Sequence, residues 1–118
     1  KHILWLGSRN DPEKLISACN ITTLTSDSGE GFPNAVAESA ACGVLCVATD
    51  IGDTSTIVSD VIPVVPAKKP DHLANAWKSA LELDPADKGQ VTVRLRQSII
   101  ERFSCETIAN LTLKTLIP

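Results

Sequence analysis

A β-branched run, Ile21-Thr22-Thr23-Leu24-Thr25, leads through a glycine-containing loop into Pro33-Asn34-Ala35-Val36-Ala37-Glu38-Ser39-Ala40-Ala41-Cys42-Gly43. This succession restricts the fold more than any other part of the chain. The first run has strand composition, and the second is a small-residue helix closed by Gly43. Pro33 lacks a backbone N–H and has a fixed φ, so it suits the first helical position, where that donor would be unpaired anyway. Gly29 and Gly31 let the loop turn sharply and let a ligand approach its backbone. The spacing predicts a helix from Pro33 to Cys42, with the N–H groups of Asn34 and Ala35 pointing out of its start. Such a terminus carries partial positive charge and suits phosphate.

Two carboxylates bracket that terminus. Glu30 lies in the loop, and Glu38 about one and a half turns into the helix. An ionised carboxylate only accepts hydrogen bonds and has two oxygens to do so, which matches the paired hydroxyls of a ribose or hexose. A diphosphate on the helix start with a sugar at either end satisfies the whole layout. On spacing alone, two glutamates near a loop–Pro–helix start are usually just helix-favouring surface residues.

The remaining segments alternate in the same way. Ile3-Leu4-Trp5-Leu6, closed by Gly7, reads as a strand buried on both faces. Asp11 with Pro12 opens a helix whose inner side carries Leu15, Ile16, Ala18 and Cys19. Val44 to Ala48 is a third strand and Asp53 to Val58 a short turn or helix; Val61 to Val65 is a fourth strand, placed at an edge or the margin of the sheet by Pro63. Pro70 opens an amphipathic helix with Leu73, Ala76, Trp77, Ala80 and Leu81 inward. Asp84-Pro85 starts a helix to about Phe103, weakened early by Gly89, and Ser104 caps a last one to about Leu116. Strands alternating with helices predict an α/β domain with a parallel sheet, whose ligands bind beyond the carboxyl ends of the strands. The loops Gly7 to Asn10, Ser26 to Phe32 and Thr49 to Gly52 then share one rim.

Composition narrows the function. The 118 residues make one domain; 43% are hydrophobic, 21% charged, and the net charge is −3. Without a Lys/Arg cluster the electrostatic footprint of a nucleic-acid binder is missing. No apolar run is long enough to span a bilayer and no signal peptide is evident. Cys19, Cys42, Cys46 and Cys105 lack CxxC spacing and read as small thiols in a reducing cytoplasm, with no metal or disulfide role. His2 and His72 have no ligand-like neighbours. The chain contains no Met, so we expect a piece of a longer protein or a processed one.

Glu30 to Gly43, with Cys46-Val47-Ala48-Thr49-Asp50-Ile51-Gly52 after it, resembles the signature of the retaining family-4 (group 1) glycosyltransferases of GT-B fold. That signature runs Glu, seven residues, Glu, a small-residue helix ending in Gly, an apolar strand, then an Ala-Thr-Asp-x-Gly loop. The resemblance extends from about Ile3 to Val65. It implies a Rossmann-like parallel sheet, part of the C-terminal donor domain, and a place in polysaccharide biosynthesis.

The resemblance also implies roles. Glu30 would meet the donor sugar near the anomeric carbon and act in catalysis, and Glu38 would hold the ribose diol. The amides of Gly31, Phe32, Asn34 and Ala35 would contact the sugar and distal phosphate. Ser8 and Arg9 would lie against the base, and Thr49 to Gly52 would line the far wall. No metal or cofactor is implied beyond the nucleoside diphosphate sugar, which is the donor substrate. The partner set is that donor, an N-terminal acceptor domain absent from this chain, and an acceptor that can be membrane-associated. Such domains have six strands in the order 3-2-1-4-5-6, and this chain starts at the third. We therefore expect Ile3–Leu6 to move beside Ile21–Thr25 or to pair with a second chain as a homodimer. Leu45, Asp53 and Thr56 stand where the family usually has Pro, Gly and Glu; the last departure bears on full activity. An epimerase of the same fold, which the Glu-x7-Glu pattern disfavours, and a non-catalytic nucleotide-binding or structural module are the competing readings.

Overall fold

The computed structural model describes residues 2–58 and 61–117. In chain order its elements are Pro12–Ser17 (α1), Thr22–Leu24 (β1), Asn34–Ala41 (α2), Cys46–Ala48 (β2), Thr54–Val58 (α3), Pro70–Leu81 (α4), Pro85–Phe103 (α5) and Cys105–Leu116 (α6). β1 and β2 pair in parallel with Thr23 opposite Val47, and a parallel bridge between Thr49 and Val65 extends the pairing.

Side chains alternate across this small sheet, as the pleat requires. Thr22 donates its hydroxyl to Ser39 Oγ of α2 at 2.8 Å, while Thr23 accepts from Trp77 Nε1 of α4 at 3.1 Å. Helices therefore cover both faces. On the α2 side, Val36 and Ala40 pack with Leu45, Cys46, Ala48, Ile57 and Val58, and α5 closes the core with Leu95 and Ile99. Arg96 of α5 donates to the Ala41 carbonyl at 2.8 Å, satisfying an acceptor at the α2 C-terminus.

Helix ends account for several boundaries. At the end of α2 the Gly43 N–H bonds to Ala40 O and the Val44 N–H to Ser39 O, with Gly43 at φ 71°. This is a Schellman closure, and it needs a residue in the left-handed region. Since the Val44 N–H closes the helix, pairing begins at Cys46 and not at Val44. Pro33 precedes the first helical position: it is the N-cap, and its carbonyl accepts from Val36 and Ala37. Asp84 and Ser104 cap α5 and α6 with their side chains, accepting from the Ala86 and Thr107 N–H groups. α5 runs unbroken through Gly89. Asp11 supplies no side-chain cap to α1, because Arg9 grips both its carboxylate oxygens at 2.8–2.9 Å.

Two expected strands do not form. Ile3–Leu6 is neither strand nor neighbour of β1, and its side chains are exposed, Trp5 to 90%. An apolar run encodes a need for burial but not the partner that provides it, and no described strand lies beside this one. In the segment 61–65 only Val65 pairs. The Val61 and Ile62 N–H groups turn back to Val58 O, and Pro63 has none to offer. The last helix is also loosely held: α6 packs on α5 and buries no residue, leaving Ile108, Leu111, Leu113 and Leu116 exposed.

Candidate functional site

The carboxyl ends of β1 and β2 open on the same rim, and the loops beyond them are tied together. Thr49, buried just after β2, donates its hydroxyl to Ser26 O at 2.6 Å and its N–H to Leu24 O at 3.0 Å. The Asp53 N–H reaches Gly31 O at 2.9 Å. Gly52 sits at φ 59° against the backbone of Glu30 and Gly31, with no room for a Cβ. These contacts set the loop 26–33 on top of the loop 49–53.

On that support the loop enters α2. Among the described residues no protein acceptor meets the N–H of Gly31, Phe32, Asn34 or Ala35; the first intrahelical bonds begin with Val36 and Ala37. No side chain caps α2 and no acidic residue stands in its first turn, so its positive end is not neutralised by the protein. Helical side chains lean toward the N-terminus and cover the turn before them. Glu38, exposed and four residues after Asn34, therefore shares the open face of that helix start. It has no hydrogen bond or ion pair with its side chain among the described residues. Glu30 is half-buried and accepts from the Ser26 hydroxyl through Oε1 at 2.6 Å. That bond orients the carboxylate and leaves Oε2 without a protein donor among the described residues.

The other candidates fall out differently. Thr49 reaches the rim, where its hydroxyl donates inward to Ser26 O and anchors the loop. Ser8 and Arg9 do not join the site. With Ile3–Leu6 outside the sheet, Gly7 to Asn10 is not a loop following a paired strand; both residues are exposed, and Arg9 is engaged by Asp11. The Phe32 ring meets Phe103 edge-on, with centroids 5.2 Å apart.

Sequence reasoning missed two contributors. Lys68, in the turn that leaves Val65 at the same rim, forms an exposed ion pair with Asp27 at 3.6 Å; its only local signal is a lysine in a polar turn after an apolar run. Phe103 comes from the far end of α5, and nothing near Phe32 in sequence announces it.

An apolar cavity of about 290 Å³ lies elsewhere, between β2, the segment 61–63, α4 and the start of α5. Leu45, Val61, Ile62, Ala80 and Leu83 line it, and it offers nothing that would hold a diphosphate. The chemistry of the rim outweighs the size of this cavity. Among the described residues no group of three or more His, Cys, Asp or Glu side chains is placed to hold a metal ion. No described helix is long and apolar enough to cross a membrane.

A family model described as "Glycosyl transferases group 1" matches residues 1–82. The chain belongs to the group 1 glycosyltransferases. The match takes in both glutamates, α2 and the two paired strands, and ends after α4; α5 and α6 fall beyond it. No curated protein matches the chain. The parallel β1–β2 pair with helices on both faces is consistent with a partial Rossmann-like domain of a group 1 glycosyltransferase.

Proposed function

We propose that this domain binds the activated donor, a nucleoside diphosphate sugar, in a retaining glycosyltransferase of GT-B fold. The observation that carries the reading is the unneutralised start of α2, with Glu38 on its open face and Glu30 held by Ser26 in the loop before it. The Gly31, Phe32, Asn34 and Ala35 amides receive the distal phosphate and the sugar. Glu38 accepts from the ribose diol through charge-assisted bonds. Carboxylates and phosphates repel, so both glutamates face hydroxyls and the amides face the diphosphate.

In the complete enzyme the oxygen of an acceptor hydroxyl forms the new bond to the anomeric carbon, and its proton passes to the departing phosphate oxygen. The bond to the phosphate oxygen breaks, and the nucleoside diphosphate leaves with that electron pair. Glu30, beside the anomeric centre, stabilises the developing oxocarbenium charge and fixes the sugar hydroxyls. The reaction we propose is hexosyl transfer in polysaccharide biosynthesis and needs no metal. We place the domain in the cytoplasm, where cysteines without CxxC spacing stay reduced.

A thermal-shift panel of UDP-, GDP- and ADP-hexoses tests this reading. Donor at a hundred times its dissociation constant stabilises by about 2.7 kcal/mol, and Glu38→Ala, an exposed change, abolishes most of that shift without lowering the unliganded melting temperature. No shift with any donor, or an equal shift in the variant, contradicts it and favours a structural module.

A further inference from the structure

Beside its unpaired amides the loop is held from two sides by different elements. On one side the Gly31 carbonyl accepts from the Asp53 N–H at 2.9 Å. On the other the Phe32 ring, 40% exposed, meets Phe103 at 5.2 Å with the planes 62° apart. Edge-to-face is a preferred geometry for two rings, because the positive edge of one meets the negative face of the other. Phe103 is itself held. The Arg102 guanidinium lies 4.8 Å over its ring, donates to the Thr56 carbonyl of α3, and reaches the Ser98 hydroxyl at 3.4 Å. A chain of contacts thus runs from α3 through Arg102 and Phe103 to Phe32, and Pro33 restricts Phe32 to extended conformations.

We propose that Phe103 is a positioning residue for the donor loop. Through Phe32 it fixes the Gly31, Phe32 and Asn34 amides in the orientation that receives the distal phosphate. This role rests on the donor-binding reading above. It is not carried by the family match, which ends at residue 82. It also makes α5 part of the site, because the helix that closes the core ends against the loop that meets the ligand.

The test compares wild type, Phe103→Leu, Phe103→Tyr and Phe32→Leu. Two quantities are read: ¹⁵N order parameters of the loop amides in the free protein, and affinity for the UDP-, GDP- or ADP-hexose that binds wild type. In Phe103→Leu the order parameters at Gly31, Phe32 and Asn34 fall from the rigid range near 0.85 toward 0.6 or below, while those of β1 and β2 stay unchanged. Donor affinity falls about three- to tenfold, in line with the loss of one aromatic pair. Phe103→Tyr, which keeps the ring, restores both readouts. Phe32→Leu, at a partly exposed position, gives the same losses, and combining it with Phe103→Leu adds nothing further.

Loop order unchanged in both leucine variants overturns the proposal, as does a loss of order spread equally through β1 and β2. Donor affinity unchanged by Phe103→Leu also overturns it. A wild-type protein that binds no donor is instead a failure of the donor reading, and the order parameters then decide by themselves whether Phe103 holds the loop.

Discussion

Gly52 lies directly against Glu30: a Cβ built on Gly52 would stand 2.5 Å from the Glu30 carbonyl oxygen, and Gly52 itself is at φ 59°. The glycine after β2 and the glutamate before α2 are therefore fitted to each other through backbone alone. Gly52→Ala has to move the loop that carries Glu30 or adopt a conformation that L side chains disfavour. We expect a loss of about 2 kcal/mol or more in chemical denaturation, accompanied by loss of donor binding. A variant as stable as wild type would show that the two loops are not held together in this way.

Asn34 separates the contribution of the helix amides from that of the carboxylates. Proline is tolerated at the first helical position, and Pro33 has φ −74° and ψ 92°, in the extended region that a following proline requires. Asn34→Pro then removes one N–H without breaking α2. Stability should change by less than about 1 kcal/mol, while donor affinity drops about tenfold or more, as expected for a hydrogen bond to a charged phosphate. Calorimetric titration measures the second effect and thermal melting the first.

Cys46 carries a pH dependence. Burial in the core pushes its thiol pKa up, and hydrogen bonds with Thr22 and Ser39 offset this only in part. The unfolded thiol, with a pKa near 8.5, ionises first as pH rises. The stabilising effect is full below that value and is lost as pH climbs through the folded thiol's higher one. Stability should decline above about pH 8.5, with a shallower decline in Cys46→Ala. Thiol reagents should label the exposed Cys19 and Cys105 well before Cys46. An identical alkaline slope in the variant would contradict this assignment.

Much of the fold was readable where local signals agree with one another. Pro70, the Asp84-Pro85 pair and Ser104 each mark the start of a helix that the structure contains, and the last two supply side-chain caps. The stretch from Glu30 to Gly43 was legible because loop, helix start and Schellman glycine follow in order. Pairing was less legible, since it depends on what lies alongside. Ile3–Leu6 and Val61–Val65 both have strand composition, yet one finds no described neighbour and the other turns back on α3. The expected placement of Ser8 and Arg9 depended on the first of these, and the structure does not bring them to the rim beyond β1 and β2. Phe103 and Lys68 were missed because they reach the site from distant segments and resemble ordinary core and surface residues.

Titrating UDP-, GDP- and ADP-hexoses into ¹⁵N-labelled protein and following each backbone amide shows whether the start of α2 receives the donor. For a donor that binds, the largest shifts should fall on Gly31, Phe32, Asn34 and Ala35, and Glu38→Ala should weaken the binding that produces them. Binding that leaves those four amides unmoved, or that instead perturbs Leu45, Ala80 and Leu83 around the apolar cavity, would contradict it.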